Sequence, residues 1–262
     1  MVTISLASEV IAHIGHFEIR NTMLMAWLAM LVLIIVALGV RATGYQLVPG
    51  RFQAAVELVV SGLFDLFASV VNDDRLARKF FPMVATMFIF IVLGNWMGIF
   101  PGVGSITIAG MHNGEMTDIP LFRSMNADVN MTLAIALIAM ACVQFFGMSE
   151  LGVYGYSSKF LIPPWKDPIG TFVGILEMIG ELSKVISFTF RLFGNIFAGE
   201  VLLIVISYLV PYLAPVPFLG MELFVGLIQG LVFALLTTAF LKSAVTSHHP
   251  EEHAAPPAAV AA

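Results

Sequence analysis

Five stretches of this 262-residue chain are apolar enough to cross a bilayer, and that constrains its fold more than any other feature. A membrane span needs about 20 mostly apolar residues. No charge lies between Arg20 and Arg41, which gives a first span over 21–41. Residues 80–101 (FFPMVATMFIFIVLGNWMGIFP) and 129–149 give the second and third. Longer apolar stretches follow over 168–211 and 217–247. Charged residues make up only 11% of the chain, against about 25% in a soluble domain. The chain therefore reads as an integral membrane protein. Glu9, His13, His16 and Glu18 precede the first run where a signal peptide would carry basic residues, so that run reads as a retained span.

Five spans put the termini on opposite sides, and Lys and Arg residues set which side is which. With segment 1–20 outside, the inner loops hold Arg41, Arg51, Arg75, Arg78, Lys79, Lys159, Lys166 and Lys242, and the outer segments hold only Arg20 and Arg123. The outer loop 102–128 carries Glu115, Asp118 and Asp128. The inner end, 248–262, has charge, Pro and Ala with little bulk to bury, and is expected to be a disordered cytoplasmic tail. No basic tract suggests nucleic acid. Cys142 is the single cysteine and lies in an apolar run, so neither a disulfide framework nor a metal-binding Cys pattern is expected.

Residues 49–72 are neither span nor ordinary loop. They open with Pro at a helix start, and Gln53, Glu57, Ser61, Asp65 and Ser69 recur every four residues as a polar stripe on an apolar helix. Such a helix lies in the interface or packs sideways against spans. Asp73 to Lys79 are expected to form a solvated turn. A straight helix over 168–211 would reach roughly 64 Å at 1.5 Å per residue, twice the ~30 Å hydrocarbon core. The last two stretches must therefore break, kink or tilt, and Gly170, Gly174, Gly180, Gly194 and Gly199 offer places to bend. The expected fold is all-α: five transmembrane helices plus one interfacial amphipathic helix, the last two long and strongly tilted.

Arg191 stands in SFTFRLFGNIFAG, with no other charge between Lys184 and Glu200. A charge at that depth costs roughly 3 kcal/mol on insertion scales and more than ~10 in simulations of an isolated helix. Arg does not escape by deprotonating. Either it snorkels or pairs structurally, or it serves function. At about 100° per residue, Lys184, Ser187, Arg191, Asn195 and Ala198 share one stripe and Glu177 lies near it, whereas Glu200 points to the opposite side. Arg191 and Glu200 therefore cannot pair within one regular helix. In the last span Glu222, Gln229 and Leu236 share a face that suits either contact with Asn195 and Glu200 or plain interhelical glue. No acid of this chain is well placed to satisfy Arg191 permanently, so its partner is expected on another polypeptide that meets the small-residue face at Gly194 and Ala198. A fixed cation there favours the ionised form of a passing carboxylate and stops protons from crossing, as in an ion translocator working against a second subunit.

At these residues the chain resembles the subunit a family of rotary F-type ATP synthases. SKVISFTFRLFGNIFAGE (183–200), VPGRFQAAVELV (48–59), SMNADVN (124–130) and GLIQGLVFALLTTAFL (226–241) carry the match. The resemblance implies a non-catalytic stator without cofactor or metal, in a bacterial inner membrane with its C-terminus cytoplasmic. Its partners would be membrane lipid, a ring of small helical-hairpin subunits (the c-ring) and peripheral-stalk b subunits. It further implies that Arg191 separates two proton half-channels, that Asn195 and Gln229 are its polar neighbours, and that Glu200 and Glu222 are the acids of the outer path. Glu177 and Ser187 would lie toward the inner side, and Asp128 and Asn130 at the outer end of the third span. Some relatives carry His at one of the two acid positions where this chain has Glu200 and Glu222, and some carry an acid where it has Gly98.

Two other classes fit less well. A stand-alone transporter using Arg191 as a substrate anchor would suit an internal repeat, and none is evident. An intramembrane hydrolase needs a Ser with His or Lys, or paired Asp. All six His (13, 16, 112, 248, 249 and 253) lie in loops or termini, and Asp is absent from the last two spans.

Overall fold

A computed structural model describes residues 8–15, 17–43, 50–100, 102–103, 106–112, 115–160, 168–211 and 213–246. The expected tail 248–262, the helix-opening Pro49 and the inner-loop Lys166 lie outside the described residues. Among the described residues, six helices are long and apolar enough to cross a membrane. They are α1 (Asn21–Thr43), α2 (Arg51–Val71), α3 (Asp74–Ile99), α4 (Val129–Phe160), α5 (Pro168–Leu209) and α6 (Pro215–Val245). Two short antiparallel hairpins add to this helical body. In the first, β1 (Val10–Ile14) pairs with β2 (Phe17–Arg20); in the second, β3 (Thr107–His112) pairs with β4 (Glu115–Pro120).

The solvated turn expected over 73–79 shrinks to Asn72 and Asp73. Asn72 closes α2 in the left-handed conformation at φ 55°, and the Asp73 carboxylate accepts from the backbone N–H groups of Arg75 (2.8 Å) and Leu76 (3.2 Å). That N-cap satisfies donors that the first helical turn leaves open, so α3 begins six residues before the apolar run. Past the cap, Lys79 pairs with Glu150 and ties the start of α3 to α4. On α2, Leu63, Phe67 and Val71 are buried, and Phe64 meets Phe81 of α3 edge to face with centroids 5.2 Å apart.

Small residues set the closest approaches. A Cβ on Gly230 of α6 would lie 2.5 Å from Val92 Cγ2 of α3, and one on Gly226 would lie 3.0 Å from Asn95 Cβ. On α3, Gly94 and Gly98 receive Met125 and Ser124 from the segment before α4. Phe188 of α5 meets Phe233 of α6 at 4.6 Å.

The helix expected over 129–149 continues to Phe160 across a break at Gly152 (φ 74°, ψ 157°), a backbone conformation that favours glycine. The break turns the chain back far enough for the Tyr156 ring to cover Gly147, where a Cβ would lie 2.5 Å from the ring. By contrast, α5 runs unbroken for 42 residues despite its glycines. Phe188, Thr189, Leu192, Phe193 and Ile196 form its buried side, while Ile179, Leu182, Ile186 and Phe190 stay exposed on the other.

Candidate functional site

Arg191 lies on the exposed side of α5 with Ser187, Asn195 and Ala198. Its guanidinium donates to Ser187 Oγ one turn back (3.4 Å) and stands 6.0 Å from the centre of the Phe188 ring. Among the described residues no carboxylate forms an ion pair with it. The fixed cation thus faces outward from the helix bundle, on a surface that is otherwise largely apolar.

One turn further along α5, Asn195 Nδ2 donates to Gln229 Oε1 of α6 at 2.6 Å. Gln229 is buried, and its Nε2 has no hydrogen-bond partner among the described residues. Behind it runs a polar seam that helical periodicity alone does not assemble. Asn126 Nδ2 donates to Asn95 Oδ1 (2.6 Å), and Asn95 Nδ2 donates to the Gly226 carbonyl (3.0 Å), so α3 is keyed to α6 one turn from Gln229.

Glu200 and Glu222 come together at a cavity of about 340 Å³ that Asn95, Gly98, Arg123 and Ser124 also line. The helical phase that turns Glu200 away from Arg191 turns it toward Arg123. Arg123 Nε donates to both oxygens of Glu200 (2.9 and 3.2 Å) and Nη2 to Oε2 (3.2 Å). Such a fork-to-carboxylate pairing fixes orientation as well as charge. Glu222 pairs with no cation among the described residues and is packed against Gly199, where a Cβ would lie 2.1 Å from its Oε2. The two acids thus share a cavity in different settings: one clamped to a guanidinium, the other set into a notch in α5. The sequence does not point to Arg123, because it lies 77 residues before Glu200, in a loop with no periodicity to place it. Gly98 is where Ser124 seats: a Cβ there would lie 2.5 Å from Ser124 Cβ.

Asp128 takes a different place from these acids. Its carboxylate accepts from Ser8 Oγ (2.5 Å), Thr22 Oγ1 (3.1 Å) and the Asn130 backbone N–H (2.8 Å), and it is buried. It pins the N-terminal segment and α1 to the start of α4, and neither it nor Asn130 lines the cavity.

Toward the other end of α5, Glu177 borders a second cavity of about 200 Å³ with Glu181, Lys184 and Tyr156. Ser187 lies between this cavity and Arg191 along the helix. Among the described residues no group of three or more His, Cys, Asp or Glu is arranged to hold a metal ion. Arg191 thus has a cavity on either side of it along the helix, and Glu200 and Glu177 line the two.

Comparison with known proteins shows the family. Residues 23–242 match the family model described as ATP synthase A chain. ATP synthase subunit a of Campylobacter fetus is 30% identical over 97% of this chain and 100% of its own length. The subunits a of Syntrophobacter fumaroxidans and Geotalea daltonii are each 31% identical, over 90% and 85% of this chain and 88% and 86% of theirs.

Proposed function

The chain belongs to the ATP synthase A chain family, a multi-pass component of the ATP synthase membrane sector, and from that premise we propose that it is the stator that carries protons to and from the carboxylates of a rotating ring. The observation that carries this reading is Arg191: an undischargeable cation on an exposed helical face with no carboxylate of its own among the described residues. A ring of helical hairpins with one mid-membrane carboxylate each supplies the counter-charge in passing. The protein does no covalent chemistry itself; peripheral-stalk b subunits hold it against the ring.

In this account the cavity with Glu200 and Glu222 is the outer half-channel, and the one with Glu177 is the inner half-channel. Arg191 separates them. Asn195 and Gln229 keep the helical interface beside it polar, and Ser187 steadies the guanidinium. Asp128 and Asn130 belong to the outer end of the third span as its anchor and cap. The N-terminus lies outside and the C-terminus in the cytoplasm of a bacterial cell, which agrees with the Lys and Arg distribution. Five helices span, and α2 lies along the interface with Glu57, Ser61 and Asp65 exposed. An unbroken α5 of 42 residues, about 63 Å long at 1.5 Å per residue, fits a ~30 Å core only by steep tilt.

The test is ATP-driven proton uptake in inverted membrane vesicles carrying Arg191→Ala. Uptake is lost while the complex remains assembled, and Arg191→Lys does not restore it fully, because an ammonium lacks the planar fork and can release its proton. Normal uptake in Arg191→Ala sinks the reading.

A further inference from the structure

Beside the inner cavity runs a hydrogen-bonded network that the stator reading leaves unused. Glu181 Oε1 accepts from Lys184 Nζ (2.5 Å) and its Oε2 from Gln144 Nε2 (3.0 Å). Gln144 Oε1 in turn accepts from the Tyr156 hydroxyl (2.5 Å). That last bond exists because α4 breaks at Gly152 and Gly147 has no side chain to hold the Tyr156 ring away. Lys184 Nζ also stands 4.5 Å from the centre of the Phe240 ring. The cation is thereby held against α6, and each oxygen of Glu181 has its own donor. Glu177, one turn away on the same cavity, has no hydrogen bond or ion pair among the described residues.

Lys184 lies seven residues before Arg191 on the same stripe, about 10 Å along the helix axis. A free ammonium there would repel protons leaving through the cavity it lines and compete for any carboxylate that approaches. We propose that Glu181, held by the Gln144–Tyr156 arm, cancels the charge of Lys184 on the inner proton path and so leaves Glu177 as the carboxylate that takes up the departing proton. Gln144 and Tyr156 are positioning residues: they touch no proton in transit, but they fix the carboxylate that neutralises Lys184. This inference rests on the stator reading and names what keeps its inner exit open.

The experiment measures passive proton conduction through the membrane sector in vesicles stripped of the catalytic head, per assembled complex as quantified by immunoblot. Glu181→Gln unmasks Lys184 and lowers conduction roughly tenfold, equivalent to about 1.4 kcal/mol at the barrier. Adding Lys184→Gln removes the unmasked charge and returns conduction to within about twofold of wild type, a non-additivity expected of paired groups. Tyr156→Phe lowers conduction by a smaller factor and has no further effect once Glu181 is Gln. Should Glu181→Gln reduce assembly, Glu181→Asp carries the test: it keeps the charge, and conduction per complex stays within about threefold. Wild-type conduction in Glu181→Gln, failure of Lys184→Gln to restore it, or a tenfold loss in Glu181→Asp overturns the proposal. Arg191→Ala, assayed alongside for ATP-driven uptake, separates the two levels. Normal uptake there refutes the stator reading itself, whereas lost uptake with an unaffected Glu181→Gln refutes only the charge cancellation.

Discussion

Gly199→Ala moves one carboxylate and little else. The added Cβ would lie 2.1 Å from Oε2 and 2.3 Å from Oε1 of Glu222, and ordinary contact requires roughly 3.5 Å. The carboxylate must therefore retreat by more than about 1 Å. What retreats is the far end of a flexible side chain beside a cavity of about 340 Å³, so the cost is at most that of an off-rotamer torsion, about 0.5–1.5 kcal/mol. Assembly should survive. Transfer between groups is far less forgiving, since a displacement of about 1 Å can cost on the order of 100-fold. Room in the cavity softens that figure, and we expect ATP-driven proton uptake to fall roughly tenfold. The assay is dye-monitored uptake in inverted vesicles, with the subunit quantified by immunoblot. Uptake within about twofold of wild type at equal abundance would show that Glu222 does not need its notch against α5.

Other substitutions test the surroundings. Gly98→Ala brings a methyl group to 2.9 Å from the Ser124 Cα, which cannot rotate away; overpacking of about 1–3 kcal/mol should lower the thermal stability of the purified complex, and an unchanged melting temperature contradicts the packing. Arg123→Gln breaks the fork on Glu200. The two side chains are 10% and 26% exposed, so we discount the 3–5 kcal/mol typical of fully buried pairs to about 1–3 kcal/mol. Arg123→Lys should recover part of that stability, and equal losses in both variants contradict a role for the fork. Glu200→Gln and Glu222→Gln should each reduce proton flux, and unchanged flux in both singles and the double returns the two acids to interhelical glue.

The membrane body is legible in the sequence because its signals are local. Apolar length marks the spans, and the 3.6-residue period places Ser187, Arg191, Asn195 and Ala198 on one exposed face. The same period turns Glu200 away from Arg191, but it does not say toward what. That answer requires a loop residue, Arg123, whose position depends on Ser124 and Met125 seating on Gly98 and Gly94. The partners of Asp128 are also remote: Ser8 and Thr22 reach its carboxylate across more than a hundred residues, and no local pattern announces them. Glu181 and Tyr156 escape a sequence reading for a related reason. The break at Gly152 that joins them through Gln144 has no periodic signature in an apolar run. Asp73 before the charged stretch Asp74–Lys79 is an N-cap signal that the expected solvated turn overlooks, and α3 starts there.

The central claim is that Arg191 is a barrier between two paths and not itself a carrier of protons. The most direct measurement compares two fluxes in the same Arg191→Ala vesicles: ATP-driven uptake, and passive conduction after the catalytic head is stripped. A barrier that is removed leaves the paths intact, so ATP-driven uptake is lost while passive conduction persists or rises. If the two fluxes disappear together with the complex still assembled, Arg191 lies on the proton path and is no barrier.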